Sequence, residues 1–170
     1  PATAVSARDN QRSRVYAAEQ FVRTLFDRAA GRSSRAIDFF GDSITLPPEA
    51  RFGSMASVQR YVDAVLALPA VADRWPGSGR IAVRPRRAST AAHYEIRDGT
   101  AVIAVPEAGA ADWAMRELVV LHEVAHHLNT GGGGAHGPNF VATFCELAAL
   151  VMGPECGHVL RVVYSKEGVR

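Results

Sequence analysis

Residues 118–140 read LVVLHEVAHHLNTGGGGAHGPNF, and the architecture turns on this stretch. Leu118, Val119, Leu121, Val124, Ala125 and Leu128 make its first half a strongly apolar helix, which the four glycines at 131–134 must end. Gly137-Pro138 then opens a second helix, because proline is preset for the first helical turn, and Gly153-Pro154 closes it. The order is helix, glycine loop, return helix. Inside the first helix lies His122-Glu123-Val124-Ala125-His126. Four residues on a helix amount to about 400° of rotation and about 6 Å of rise, so both imidazoles leave one face and can reach one ion. Two histidines and a glutamate in so apolar a helix are costly to bury without such a partner.

Each residue type suits a metal site. Zinc takes imidazole nitrogen at about 2.0 Å and, where catalytic, keeps a fourth position open for water. Glu123, one position after the first histidine, can reach that water as general base while the ion lowers the water's pKa towards about 7. A third ligand must come from elsewhere, and His136 and Glu146 are the two candidates. If the two helices form an antiparallel hairpin, the ion is level with about residue 143, which lies nearer to Glu146 than to His136 at about 1.5 Å of rise per residue. Against that, His136 sits on a glycine-rich return whose backbone can fold back under the helix end.

The segment HEVAHHLNTGGGGAHGPNF resembles the zincin metallopeptidases, and among them the SprT-like and related bacterial metallohydrolases, in which H-E-x-x-H is followed by H-G-x-x-F or H-G-x-x-W. The likeness runs over about residues 100–152. It implies zinc held by His122, His126 and His136, one ion per chain, with Glu123 as catalytic base. The metzincin pattern is excluded, because Gly132 stands where its third histidine falls; Glu146 keeps the spacing of the classical gluzincins. The SprT-like group usually carries an appended zinc ribbon or DNA-binding region, and this chain has no cysteine cluster for one.

Working outward, the chain of 170 residues is of a size for one domain, residues 1–170, with enough surface to bury for a core without disulfides. Apolar residues make up 48% and charged ones 21%, with a mean hydropathy of -0.01, which argues against disorder and against a membrane protein. The net charge is +2, and Lys166 is the one lysine among 19 basic residues. Arg80, Arg84, Arg86, Arg87 and Arg97 gather around the sheet and read as a solvated face, so nucleic acid is weakly supported. Cys145 and Cys156 make neither a disulfide framework nor a C-x-x-C motif, and residues 1–14 lack an apolar signal core. A cytoplasmic location is expected.

Periodicity places an amphipathic helix over Ala7 to Ala30, a strand over Ile37 to Leu46 ahead of Pro47-Pro48, and a helix over Ser54 to Leu68. A loop follows around Trp75-Pro76-Gly77. Ile81 to Val83 reads as a short strand, and His93 to Arg97 and Thr100 to Val105 flank Asp98-Gly99, the strongest short hairpin signal. Asp112 suits the N-cap of the helix carrying the histidines, Trp113 suits the core, and a last helix covers Glu155 to Tyr164. His127 lies about 500° from His122, off the ligand face. His158, Arg161 and Tyr164 are candidate donors to an oxyanion.

The expected fold is α+β: N-terminal helices, a small antiparallel sheet, the H-E-x-x-H helix and the return helix, in a compact zincin-like domain. The expected function is a zinc-dependent metallohydrolase, best read as a metallopeptidase, in which water activated by Glu123 attacks a polarised carbonyl. Its partner is a peptide or protein, bound by addition to the edge of the sheet at Thr100 to Val105. The alternatives are a DNA-associated SprT-like protease module and a non-catalytic structural zinc domain.

Overall fold

The computed structural model describes residues 9–87, 89–107 and 114–170 of an α+β chain. Ala7, where the first helix was expected to start, Asp112 and Trp113 lie outside the described residues. The chain divides into two compact units, Pro1–Pro48 with Asn129–Arg170, and Glu49–Leu128.

The first unit holds helix α1 (Arg12–Ala30), strands β1 (Ala36–Phe39) and β2 (Asp42–Thr45), and helices α5 (Pro138–Met152) and α6 (Pro154–Lys166). On α1, Val15, Ala18, Val22, Leu25, Phe26 and Ala29 are buried at helical spacing. The Tyr164 hydroxyl of α6 donates to Glu19 of α1 at 2.6 Å in a buried pair. Helices α5 and α6 approach so closely that a Cβ on Gly157 would stand 2.6 Å from the Ala149 Cβ and 2.9 Å from the Cys145 carbonyl. Between the two helices Gly153 takes φ 116° and ψ 158°, a region open essentially to glycine alone, so the chain can turn before Pro154 starts α6. The expected single strand at 37–46 is a hairpin instead. Its two-residue turn, Phe40-Gly41, has φ 52° and 93°, and an aromatic residue at a position that usually takes Asn or Asp gave no turn signal. Phe40 is 52% exposed and lies under the Lys166 ammonium, 4.0 Å from its ring centre.

The second unit holds α2 (Met55–Ala67), α3 (Pro69–Arg74), β3 (Ile81–Arg86), β4 (His93–Arg97), β5 (Thr100–Pro106) and α4 (Glu117–Leu128). Ser54 caps α2 through a reciprocal pair with Ser57, and Pro69 starts the short α3, which ends just before the expected loop around Trp75-Pro76-Gly77. The turn Asp98-Gly99 joins β4 to β5 where sequence places it, with φ 50° and 76°. The three strands run in the order β3-β5-β4, antiparallel between β4 and β5 but parallel between β3 and β5. The sheet is therefore mixed, not antiparallel throughout. Strand direction belongs to the connections, which local alternation does not record.

Order within the sheet has a local cause. Residues 101–105 are a continuous apolar run, AVIAV, all buried, and such a run fits a strand enclosed on both faces. With β5 in the centre, both its edges are already paired, so a peptide cannot add at Thr100 to Val105 as expected. The edges are β3 and β4. On β3, Gln59 of α2 donates to the Ile81 carbonyl at 2.9 Å and accepts from the Val83 amide at 2.7 Å, and Pro85 has no N–H to offer.

Helix α4 is fixed at its start. The Glu49 carboxylate accepts from the Arg116 guanidinium at 2.8 Å and from the Leu118 amide at 3.2 Å. Glu117 accepts from Tyr61 at 2.6 Å and from the Ala50 amide at 2.8 Å. Two acidic side chains thus meet the positive end of the helix, where exposed N–H groups lack partners of their own.

Candidate metal centre

The helix carrying the motif is buried almost all round, from Glu117 to Ala125. His122 is 3% exposed and Glu123 7%. The helical spacing brings His122 Nε2 and His126 Nε2 to 3.1 Å. Two nitrogens each bound to one zinc at tetrahedral angles stand about 3.3 Å apart, so the pair as it lies fits the ion.

His127 points elsewhere, as its rotation around the helix requires. Its Nδ1 is 3.1 Å from the Tyr94 hydroxyl of β4, and its Nε2 is buried with no hydrogen-bond partner among the described residues. The Tyr94 ring lies parallel to that of His126, at 6.4 Å between centres and 12° between planes. Burial raises the Tyr94 phenol above its usual pKa, so it keeps its proton at neutral pH. Tyr94 was missed by sequence reading. It lies 33 positions before His127, and one tyrosine in an alternating strand carries no signal of its own.

His136 precedes α5 and is 4% exposed. Its ring meets Tyr16 and Phe140 edge-on, with centres at 5.2 Å and 5.1 Å. Its Nδ1 is 2.6 Å from Asp9 Oδ2, and Gln11 donates to its carbonyl at 2.6 Å. An ionised carboxylate only accepts, so with Nδ1 donating to Asp9 it is Nε2 that a metal ion would take. The glycine loop is held as well: Asn139 donates to the Gly132 carbonyl at 2.8 Å, and a Cβ on Gly131 would stand 2.5 Å from the Asn139 amide nitrogen.

His122, His126 and His136 form a group that could hold a metal ion, each offering one ring nitrogen, with all three atoms within 4.8 Å of one another. Glu146, on α5, is not in this group. Imidazole nitrogens suit several transition ions, zinc, copper, iron and nickel among them.

The other candidates lie away from this group or are committed to other partners. The Tyr164 hydroxyl is committed to Glu19, and burial beside that carboxylate raises its pKa well above the ordinary phenol value. It is no donor to a substrate oxyanion. His158 lies edge-on to Phe39 at 6.1 Å, and Arg161 is exposed on α6. Of the sheet arginines, Arg84 pairs with Glu95 at 2.6 Å and Arg86 donates to the Ala91 carbonyl at 2.8 Å. Among the described residues no helix is long and apolar enough to cross a membrane. Compared with protein-family models, with curated proteins and with solved structures, the chain matches none.

Proposed function

We propose that this protein is a zinc-dependent hydrolase, a metallopeptidase of the zincin type. The observation that carries the reading is the group His122, His126 and His136, with Glu123, the residue after His122 on α4, a buried carboxylate. When bound, zinc supplies a Lewis acid for a carbonyl oxygen and lowers the pKa of a coordinated water towards about 7. Glu123 is the proton acceptor in this reading, and returns the proton to the leaving amine. With Nδ1–H of His127 donating to the Tyr94 oxygen, the proton of that hydroxyl is free to be donated to an oxygen that gains charge. The substrate track is the β4 edge, since β5 is paired on both sides and Gln59 occupies β3. An extended peptide adds there through its backbone, with side chains read by the alternating positions of the strand. A cytoplasmic location belongs to the same reading, with Cys145 and Cys156 both buried.

The test joins metal analysis to turnover. The purified protein should hold about one zinc per chain, and His122→Ala should lose it, because the pair on α4 is most of the preformed chelate. Glu123→Gln should keep the metal and lose hydrolysis of a mixed peptide pool by at least about 100-fold. Full zinc occupancy in His122→Ala would sink the site. Unchanged turnover in Glu123→Gln, or its loss of zinc, would sink the mechanism.

A further inference from the structure

The short segment ahead of α1 makes two contacts with His136 across more than a hundred positions of sequence. Asp9 Oδ2 holds the ring through Nδ1 at 2.6 Å, and Gln11 Nε2 holds the main chain by donating to the carbonyl at 2.6 Å. Gln11 does more: the same amide nitrogen donates to the Arg170 carbonyl at 2.7 Å, and its oxygen accepts from the Arg170 amide at 3.1 Å. One glutamine side chain thus ties the entry of α1, residue 136 and residue 170 together.

These contacts are not what helix formation requires. Gln11 sits at the N-cap position of α1, yet its side chain makes no cap hydrogen bond: the oxygen that could accept from the first turn accepts from the Arg170 amide instead, and the NH2 group donates to the His136 and Arg170 carbonyls. Asp9 Oδ2 meets the ring, while Oδ1 is buried without a partner among the described residues. A buried carboxylate oxygen left unpaired costs stability, so folding alone does not account for Asp9 at this place.

We infer that Asp9 and Gln11 are positioning residues for the metal ligand His136, Asp9 setting the ring's tautomer and orientation and Gln11 the height of its backbone. The inference rests on the zinc-site reading above. The physical reason is general: a ligating histidine whose far nitrogen donates to a carboxylate presents the correct lone pair, at a fixed angle, and is more basic towards the ion. A histidine on a glycine-rich loop needs this more than one on a helix. His122 and His126 inherit their aim from α4, whereas residues 131–134 are all glycine and impose little on residue 136 by themselves.

The experiment measures zinc affinity by competition with a chromophoric chelator in the full chain, beside urea unfolding of the metal-free form. Asp9→Ala should weaken zinc by about 10 to 100-fold. Asp9→Asn should fall between it and the parent, because the amide oxygen still accepts from Nδ1–H but carries no charge. Gln11→Ala should weaken zinc less than Asp9→Ala, since the ring keeps its own partner. A role in folding alone would lower the unfolding midpoint and leave zinc affinity unmoved, and would overturn the inference. If Asp9→Ala does not fold, Asp9→Asn decides alone: affinity equal to the parent's refutes the assignment. His122→Ala and His136→Ala separate the two levels. If these bind zinc as the parent does, the metal site itself is wrong. If they lose it while the Asp9 variants do not, only the positioning role is wrong.

Discussion

Gly157 tests whether the contact between α5 and α6 or the intrinsic preference of the helix governs this part of the molecule. The two give opposite signs for Gly157→Ala. Residue 157 lies inside α6, where glycine costs about 0.8–1.0 kcal/mol relative to alanine, so propensity alone stabilises the variant by about that amount. Against it, the new methyl would stand 2.6 Å from the Ala149 Cβ and 2.9 Å from the Cys145 carbonyl oxygen. Neither neighbour is the free end of a flexible side chain: one is a Cβ on α5 and the other its backbone. Overpacking of this kind costs about 1–3 kcal/mol. The larger effect wins, and the net destabilisation is up to about 2 kcal/mol, or a fall in Tm of up to about 8 °C for a chain of this size. Urea unfolding and a thermal melt read it directly. Pairing the change with Ala149→Gly removes the nearest obstacle but not the carbonyl, so recovery should be partial. A variant more stable than the parent by about 1 kcal/mol would show that the helices are not in contact at residue 157.

The remaining predictions concern the site and the surface. Tyr94→Phe should leave zinc affinity unchanged and lower peptide turnover by about 100-fold, the scale of one lost oxyanion donor; a fall in zinc content with intact turnover would remove Tyr94 from the reaction. The Cys145 thiol, pushed up to about 12 by burial, should resist iodoacetamide at pH 8 in the folded protein and react once urea unfolds it; rapid alkylation of the native chain would contradict the packing of α5. Glu95 is held below the usual carboxylate value by its hydrogen bond from Arg84. A carboxyl whose folded pKa lies below its unfolded value stabilises the fold above the unfolded value and loses that contribution as pH falls through the folded one. Glu95→Gln should therefore lower the urea midpoint at pH 7, and by less as the pH falls below the ordinary carboxylate range, with a small difference because the pair is open to solvent.

What the order of residues determines by itself is local. The helix with His122 and His126, the return helix between Gly137 and Gly153, and the β4–β5 hairpin at Asp98-Gly99 all depend on interactions a few residues long, so their signals survive in the order of residues. The convergence of the two imidazoles is in this class, because 3.6 residues per turn sets it whatever surrounds the helix. The Phe40-Gly41 turn is equally local but failed to announce itself, since phenylalanine at positive φ is rare and is kept here by contacts with Phe39 and Lys166.

Tertiary structure decided the rest. The direction of β3 and the enclosure of β5 depend on how connections pass around the sheet, and an apolar run of five looks the same at a centre or an edge until its neighbours are known. Level along two ideal helices favours Glu146, whereas the residues that could hold an ion include His136, which lies in the loop before α5 and not on a helix. The partners of that histidine were invisible for a simpler reason. Asp9 lies 127 positions from His136 and Gln11 lies 125, and a hydrogen bond closing so long a loop leaves no periodicity, spacing or composition behind it.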